Sequence, residues 1–175
     1  MYTPEDIEQI ISSREHALLE FKGASAGFDI TKRADYCAGI ANAGGGKILF
    51  GVDDNGKIVG TSIYSGTVEK IPNNVHQKIG LWVSVEEVNH ASGRIVVFDI
   101  PRRPIGRLIK SCGRFLTRKG ESLVEMSEED IRRALNEIAP DFSAQFITGF
   151  SISDLDDIAV QNFKKRRADK LGNPA

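Results

Sequence analysis

The sequence is short of the features that would quickly assign it to several classes. Only two cysteines, Cys37 and Cys112, occur in 175 residues, far apart and without CxxC spacing. That excludes a disulfide scaffold and a cysteine-built zinc knuckle. Both are expected as reduced thiols, Cys37 buried on a helix. No apolar run approaches the about 18 residues of a membrane span. The first ten residues carry three acids rather than the basic start of a secretory signal, so a cytoplasmic, membrane-free address is the expectation. Net charge is nearly missing too, at −1, and no global field draws the chain to nucleic acid or lipid. Repeats and low-complexity tracts are absent. What remains is 41% apolar and 27% charged residues, the balance of an ordinary globular chain with room for one domain and a short appendage.

The densest local signal is Ile40 to Gly60, I-A-N-A-G-G-G-K-I-L-F-G-V-D-D-N-G-K-I-V-G. Small residues end a helix, Gly44 to Gly46 turn the chain, and Lys47 to Val52 enter a buried sheet. Asn55-Gly56 between two apolar runs predicts a two-residue type I′ hairpin, which puts Asp53 and Asp54 at a strand end. The glycine run is not a nucleotide loop. It follows a helix and opens a strand, and Lys47 is followed by Ile48 where a P-loop has Ser or Thr.

Elsewhere, Thr3-Pro4-Glu5-Asp6 is a helix start, with Ile7, Ile10 and Ile11 as its apolar stripe. Residues 17 to 22 alternate as a half-buried strand. Thr31 is the expected cap of a helix running to about Ala43, whose face of Ala34, Cys37, Ala38 and Ala41 suits close packing on a sheet. Thr67 to Ile79 has helical spacing interrupted by Pro72. Two antiparallel strands are expected over 81–88 and 94–100. Ser127-Glu128-Glu129-Asp130 opens a helix continuing through Ile138, and Pro140 closes it. This order predicts an α+β fold with a mixed, mainly antiparallel sheet flanked by helices. The domain is expected to span 1–140, with 141–175 a connector and last helix leading to a further domain.

Two constellations carry chemistry. Glu15, Glu20, Asp53 and Asp54 are hard oxygen donors; three of them at one point would hold Mg²⁺ or Mn²⁺ and assist cleavage of a phosphodiester. The plainer alternative pairs Glu20 with Lys22 or a neighbouring strand, leaves Glu15 solvated, and gives the aspartates to the turn. The second constellation is basic. Arg102, Arg103, Arg107, Lys110, Arg114, Arg118 and Lys119 follow one another without an acid between them. Solvated surfaces usually mix both signs, so this run suits a phosphate backbone. Phe115 and His90 are secondary candidates for stacking on bases.

Taken together, E-H-A-L-L-E-F-K (Glu15 to Lys22), the stretch Ile40 to Gly60, and R-K-G-E-S (Arg118 to Ser122) ahead of a capped helix resemble the Schlafen-like AlbA_2 domain. The blocks keep that family's order over residues 12–138. The resemblance implies a DNA- or RNA-binding module at the N-terminus of a bacterial ATP-binding or helicase-type regulator. In the Schlafen branch it implies a metal-dependent endoribonuclease acting on structured RNA. Matched by position, Glu15, Glu20 and Asp54 would be the carboxylates and Lys22 a helper on Glu20's strand face, with Asp53 the less favoured third acid. A homodimer would supply the second wall of a cleft, since this chain has one lobe where eukaryotic Schlafen cores pair two. A third reading makes assembly of a longer regulator, through the last helix, the main task.

Overall fold

Burial of alternate residues on both faces of a central sheet organises the fold. In the computed structural model, residues 1–13, 16, 18–23, 29–138 and 154–171 are described, and the chain divides into two units, Met1–Ala139 and Pro140–Ala175. The first unit begins with α1 (Pro4–Ser12), β1 (Leu19–Lys22), α2 (Ile30–Ala43) and β2 (Gly46–Phe50). After a 3₁₀ turn at Val68–Lys70 come α3 (Ile71–Ile79), β3 (Ser84–His90) and β4 (Gly93–Ile100). It ends with β5 (Lys110–Ser111), β6 (Arg114–Lys119), β7 (Ser122–Glu125) and α4 (Glu128–Leu135). In the second unit, α5 (Asp157–Leu171) is preceded by Asp156, whose carboxylate accepts from the Ala159 N–H. None of the helices among the described residues is long and apolar enough to cross a membrane.

The larger sheet has the order β1-β2-β4-β3, parallel between β1 and β2 and antiparallel elsewhere; the smaller has the order β5-β6-β7. The expected α+β class with a mixed, mainly antiparallel sheet is the one observed. The period of two in the strands divides the core. Ile48, Phe50, Val96 and Phe98 pack with Ala34, Cys37, Ala38 and Ala41 of α2 and with Ile71, Val75 and Ile79 of α3. Leu19, Phe21, Leu49, Val52, Ile95 and Val97 face the other way, toward Ile7 of α1. Phe21, Phe50 and Phe98 are fully buried, each contributing about 1.5–3 kcal/mol relative to exposure. Burial of the Cys37 thiol pushes its pKa up to about 12, while Cys112 is exposed.

Local chemistry corrects several boundaries. Thr3 and Asp6 form a full capping box, but α2 is capped by Asp29, whose Oδ1 accepts from the N–H groups of Thr31 and Lys32, and not by Thr31. A carboxylate two residues before the orphan amides meets them better than a hydroxyl already inside the helix. Pro72 does not interrupt a helix: α3 starts at Ile71, so the proline lies in the first turn, where its missing N–H costs nothing. The hairpin is not type I′. Asp53 accepts from Gly56 N–H, Gly56 has φ +78°, and Asn55 lacks positive φ, the pattern of a type I turn followed by a left-handed glycine. Helix α4 stops at Leu135, short of Ile138. Pro140, expected to close it, lies outside the described residues.

Candidate functional site

Helix α2 stands between the two sheets and brings the candidate residues within reach of one another. It packs closely on β6 and β7 at Gly39, where a Cβ would lie 2.2 Å from Leu123 Cδ1 and that side chain would have to turn aside. Asn42 then ties α2 to the basic segment. Its amide nitrogen donates to the carbonyls of Ile109 and Leu116, both at 2.8 Å, and its oxygen accepts from Ile109 N–H at 2.9 Å. This residue was missed in the sequence. The available signal was an amide at a position of α2 surrounded by small apolar residues, because a buried amide needs partners.

On the α2 side of β1, Glu20 is only 3% exposed. Its two carboxylate oxygens contact Lys22 Nζ and a guanidinium nitrogen of Arg118, from β6. Tyr36 of α2 completes the group, its ring centroid 5.1 Å from Lys22 Nζ and 5.9 Å from Arg118 Cζ. The Arg118 side chain is wholly buried, and its Nε and Nη2 have no hydrogen-bond partner. The cluster therefore joins the two sheets by charge, with Glu20 and Arg118 buried and Lys22 at its partly exposed edge.

The acids foreseen as a metal set are placed differently from one another. Glu15 lies outside the described residues. Asp53 holds the turn, its Oδ1 accepting from the N–H groups of Asn55 and Lys57. Asp54 is exposed in a hollow shared with Ile11, Ser12 and Phe21, and Phe21 belongs to the core layer on the α1 side of β1, opposite Glu20. Among the described residues no group of three His, Cys, Asp or Glu side chains is placed to hold a metal ion. As the donors stand, Glu20 is fitted to two cationic side chains rather than to a divalent ion.

The seven cations of the basic segment also part company. Arg102 and Arg103 both pair with Glu137. Arg114 pairs with Asp35 and more distantly with Glu125, Lys119 with Asp130, and Arg118 with Glu20. Hydrogen bonds from Ser127, reinforced by Lys119, hold the Asp130 carboxyl below its ordinary pKa. Arg107 and Lys110 are exposed and have no acidic partner among the described residues; Lys110 Nζ lies 5.0 Å from the Phe115 ring centroid. His90, the other stacking candidate, contacts Glu8.

The glycine turn lines a separate open groove of about 780 Å³ with His16, Lys47, Trp82 and Arg102. The glycines are demanded by backbone contact. A Cβ on Gly45 would meet Arg102 N at 2.6 Å, and one on Gly46 would meet Leu18 O at 2.1 Å. Lys47 contacts Asp99 and the Tyr2 hydroxyl; burial pulls its pKa down, but those two partners outweigh it and the net direction is upward.

The family model described as Schlafen, AlbA_2 matches residues 15–127. No curated protein matches the chain. Among solved structures, the DIP2311 protein from Corynebacterium diphtheriae is similar in fold, with a TM-score of 0.60 and 20% identity over 89% of this chain. The match covers 36% of that protein, so the present chain spans about a third of its length. The N-terminal domain of a RecG-related protein from Nitrosomonas europaea aligns over 73% of this chain and 92% of its own, with a TM-score of 0.48 and 17% identity.

Proposed function

This chain belongs to the Schlafen AlbA_2 family, and from that premise we propose that Met1–Ala139 is a nucleic-acid-binding module serving a longer regulator. The contact surface centres on Arg107 and Lys110. The observation that carries the reading is their state: two exposed cations without acidic partners, in a segment clamped to α2 by Asn42. Cations held on a fixed frame and not neutralised from within are available to displace counterions from phosphates. Arg102, Arg114 and Lys119 are exposed as well and join the surface when phosphate competes for their carboxylate partners, since exposed ion pairs are weak. Arg103 and Arg118 are buried and act as supports.

The metal-dependent endoribonuclease implied by the Schlafen branch would require Glu20 to exchange Lys22 and Arg118 for an ion. Binding without turnover is therefore the preferred reading. The test is anisotropy of fluorescein-labelled DNA and RNA with the whole chain between about 50 and 200 mM salt, beside the double variant Arg107→Glu, Lys110→Glu. Affinity is expected to fall with salt. The variant should bind about tenfold more weakly at low salt, with a log–log salt slope shallower by about 1.4–1.8. An affinity indifferent to both salt and charge reversal would overturn the proposal.

A further inference from the structure

Trp82 is the only tryptophan in the chain, and it is not in the core. Leu81 and Val83 on either side are buried at 6% and 4% exposure, whereas Trp82 is 59% exposed. The chain just ahead of β3 thus turns two neighbours inward and leaves the indole largely outside. It is not an idle side chain, because His76 of α3 stacks on it with ring centroids 4.1 Å apart and planes 17° from parallel. One indole face is supported by the imidazole while the residue as a whole stays largely open. A large flat apolar surface held in one orientation, at the margin of a groove, is a stacking site in search of a second ring.

The surroundings select the kind of ring. Helix α3 ends at Gly80, and a Cβ on that glycine would lie 3.9 Å from an Arg107 guanidinium nitrogen. Arg107, without an acidic partner among the described residues, therefore has its guanidinium beside Gly80, and Gly80 precedes Trp82 by two residues in the chain. Lys78 is exposed in the last turn of α3, and Arg102 lines the groove that Trp82 borders. A flat apolar platform with cations around it matches a nucleobase with its phosphates. An apolar peptide would leave Arg107 unanswered, and an anionic lipid headgroup would supply a phosphate but no ring to stack on the indole. A base paired inside a duplex cannot offer its face to the indole, whereas an unpaired base can.

We propose that the Trp82–His76 stack is a platform for an unpaired nucleobase, with Arg107 taking an adjacent phosphate, so that this chain prefers single-stranded nucleic acid or an unpaired end. The inference rests on the binding reading above and adds the type of strand and a second contact region to it.

Having a single tryptophan makes the test direct. The whole chain is titrated at low salt with fluorescein-labelled 20-residue oligothymidylate or oligouridylate, and separately with a labelled 20-base-pair mixed-sequence duplex. Label anisotropy follows binding. A parallel titration with unlabelled strands follows Trp82 fluorescence, and Trp82→Ala and Trp82→Phe are carried alongside with their melting temperatures. The expected result is strong quenching of Trp82 by the single strands but not by the duplex. Trp82→Ala should lose about tenfold in single-strand affinity, and Trp82→Phe less. Melting should be unchanged in Trp82→Phe, which keeps a ring on His76, and lowered only slightly in Trp82→Ala, which loses that stack. Single-strand binding without quenching, or undiminished in Trp82→Ala, would overturn the platform and leave the binding reading standing. Failure of every labelled strand to bind would overturn the binding reading, and the platform with it.

Discussion

Arg107 and Arg118 belong to the same acid-free run, eleven positions apart by number, and end in opposite electrostatic situations. Arg107 follows a loop, is exposed, and has no carboxylate partner among the described residues; Arg118 lies on β6, is fully buried, and meets Glu20 of the other sheet. The difference shows that a local excess of one charge does not by itself make a surface. Glu20 of β1, Asp35 of α2, and Asp130 and Glu137 in and just after α4 come from three other parts of the chain and neutralise most of the run. The cations that escape neutralisation carry the functional proposal. Of those that do not escape, Arg118 and Arg114 tie the second sheet to β1 and α2, and Arg102, Arg103 and Lys119 pair with acids in and just after α4.

The strongest way to break this contrast is to remove Arg118. Arg118→Met should destabilise the fold by about 3 kcal/mol, near the lower end for breaking a buried pair because Lys22 still faces Glu20. Denaturant unfolding measures it, and adding Glu20→Gln should recover most of the loss. If Arg118→Met melted like the parent, Arg118 would be no more structural than Arg107. A smaller loss is expected for Asn42→Ala, about 1–3 kcal/mol, because the backbone groups of Ile109 and Leu116 lose partners in a buried place. Hydrogen exchange would sharpen the comparison here. Protection at Ile109 should fall in this variant, loosening the frame under Arg107 and Lys110. The least effect belongs to Arg107→Glu with Lys110→Glu, whose stability should stay within about 0.5 kcal/mol of the parent. A large loss there would show that these two cations are also internal supports.

Much of the frame was legible in the sequence because its signals are local. The Thr3 capping box, the small-residue face of α2, the strand periodicity of 94–100 and the Ser127 cap each involve neighbours within a turn or a strand. The plainer reading of the acids was legible too: Glu20 does contact Lys22, and Asp53 does serve the turn. Trp82 was open to inference from the outward position in Leu-Trp-Val, yet its partner His76 was not, since the stack depends on how α3 lies against the following strand. The second sheet was hidden inside what read only as a basic segment. Its strands are short, and in β6 the consecutive burial of Leu116, Thr117 and Arg118 leaves no alternation to read.

By itself the sequence determined the α+β class, the order of most elements, the reduced cysteines and the glycine turn, since propensity, capping and periodicity act over a few residues. Only the tertiary structure decided which charges are free. Whether a cation faces a phosphate or a carboxylate depends on which distant acids the fold delivers to it. Packing that delivers Glu20 to Arg118 and no described acid to Arg107 is a property of the assembled sheets and α2, not of any one stretch.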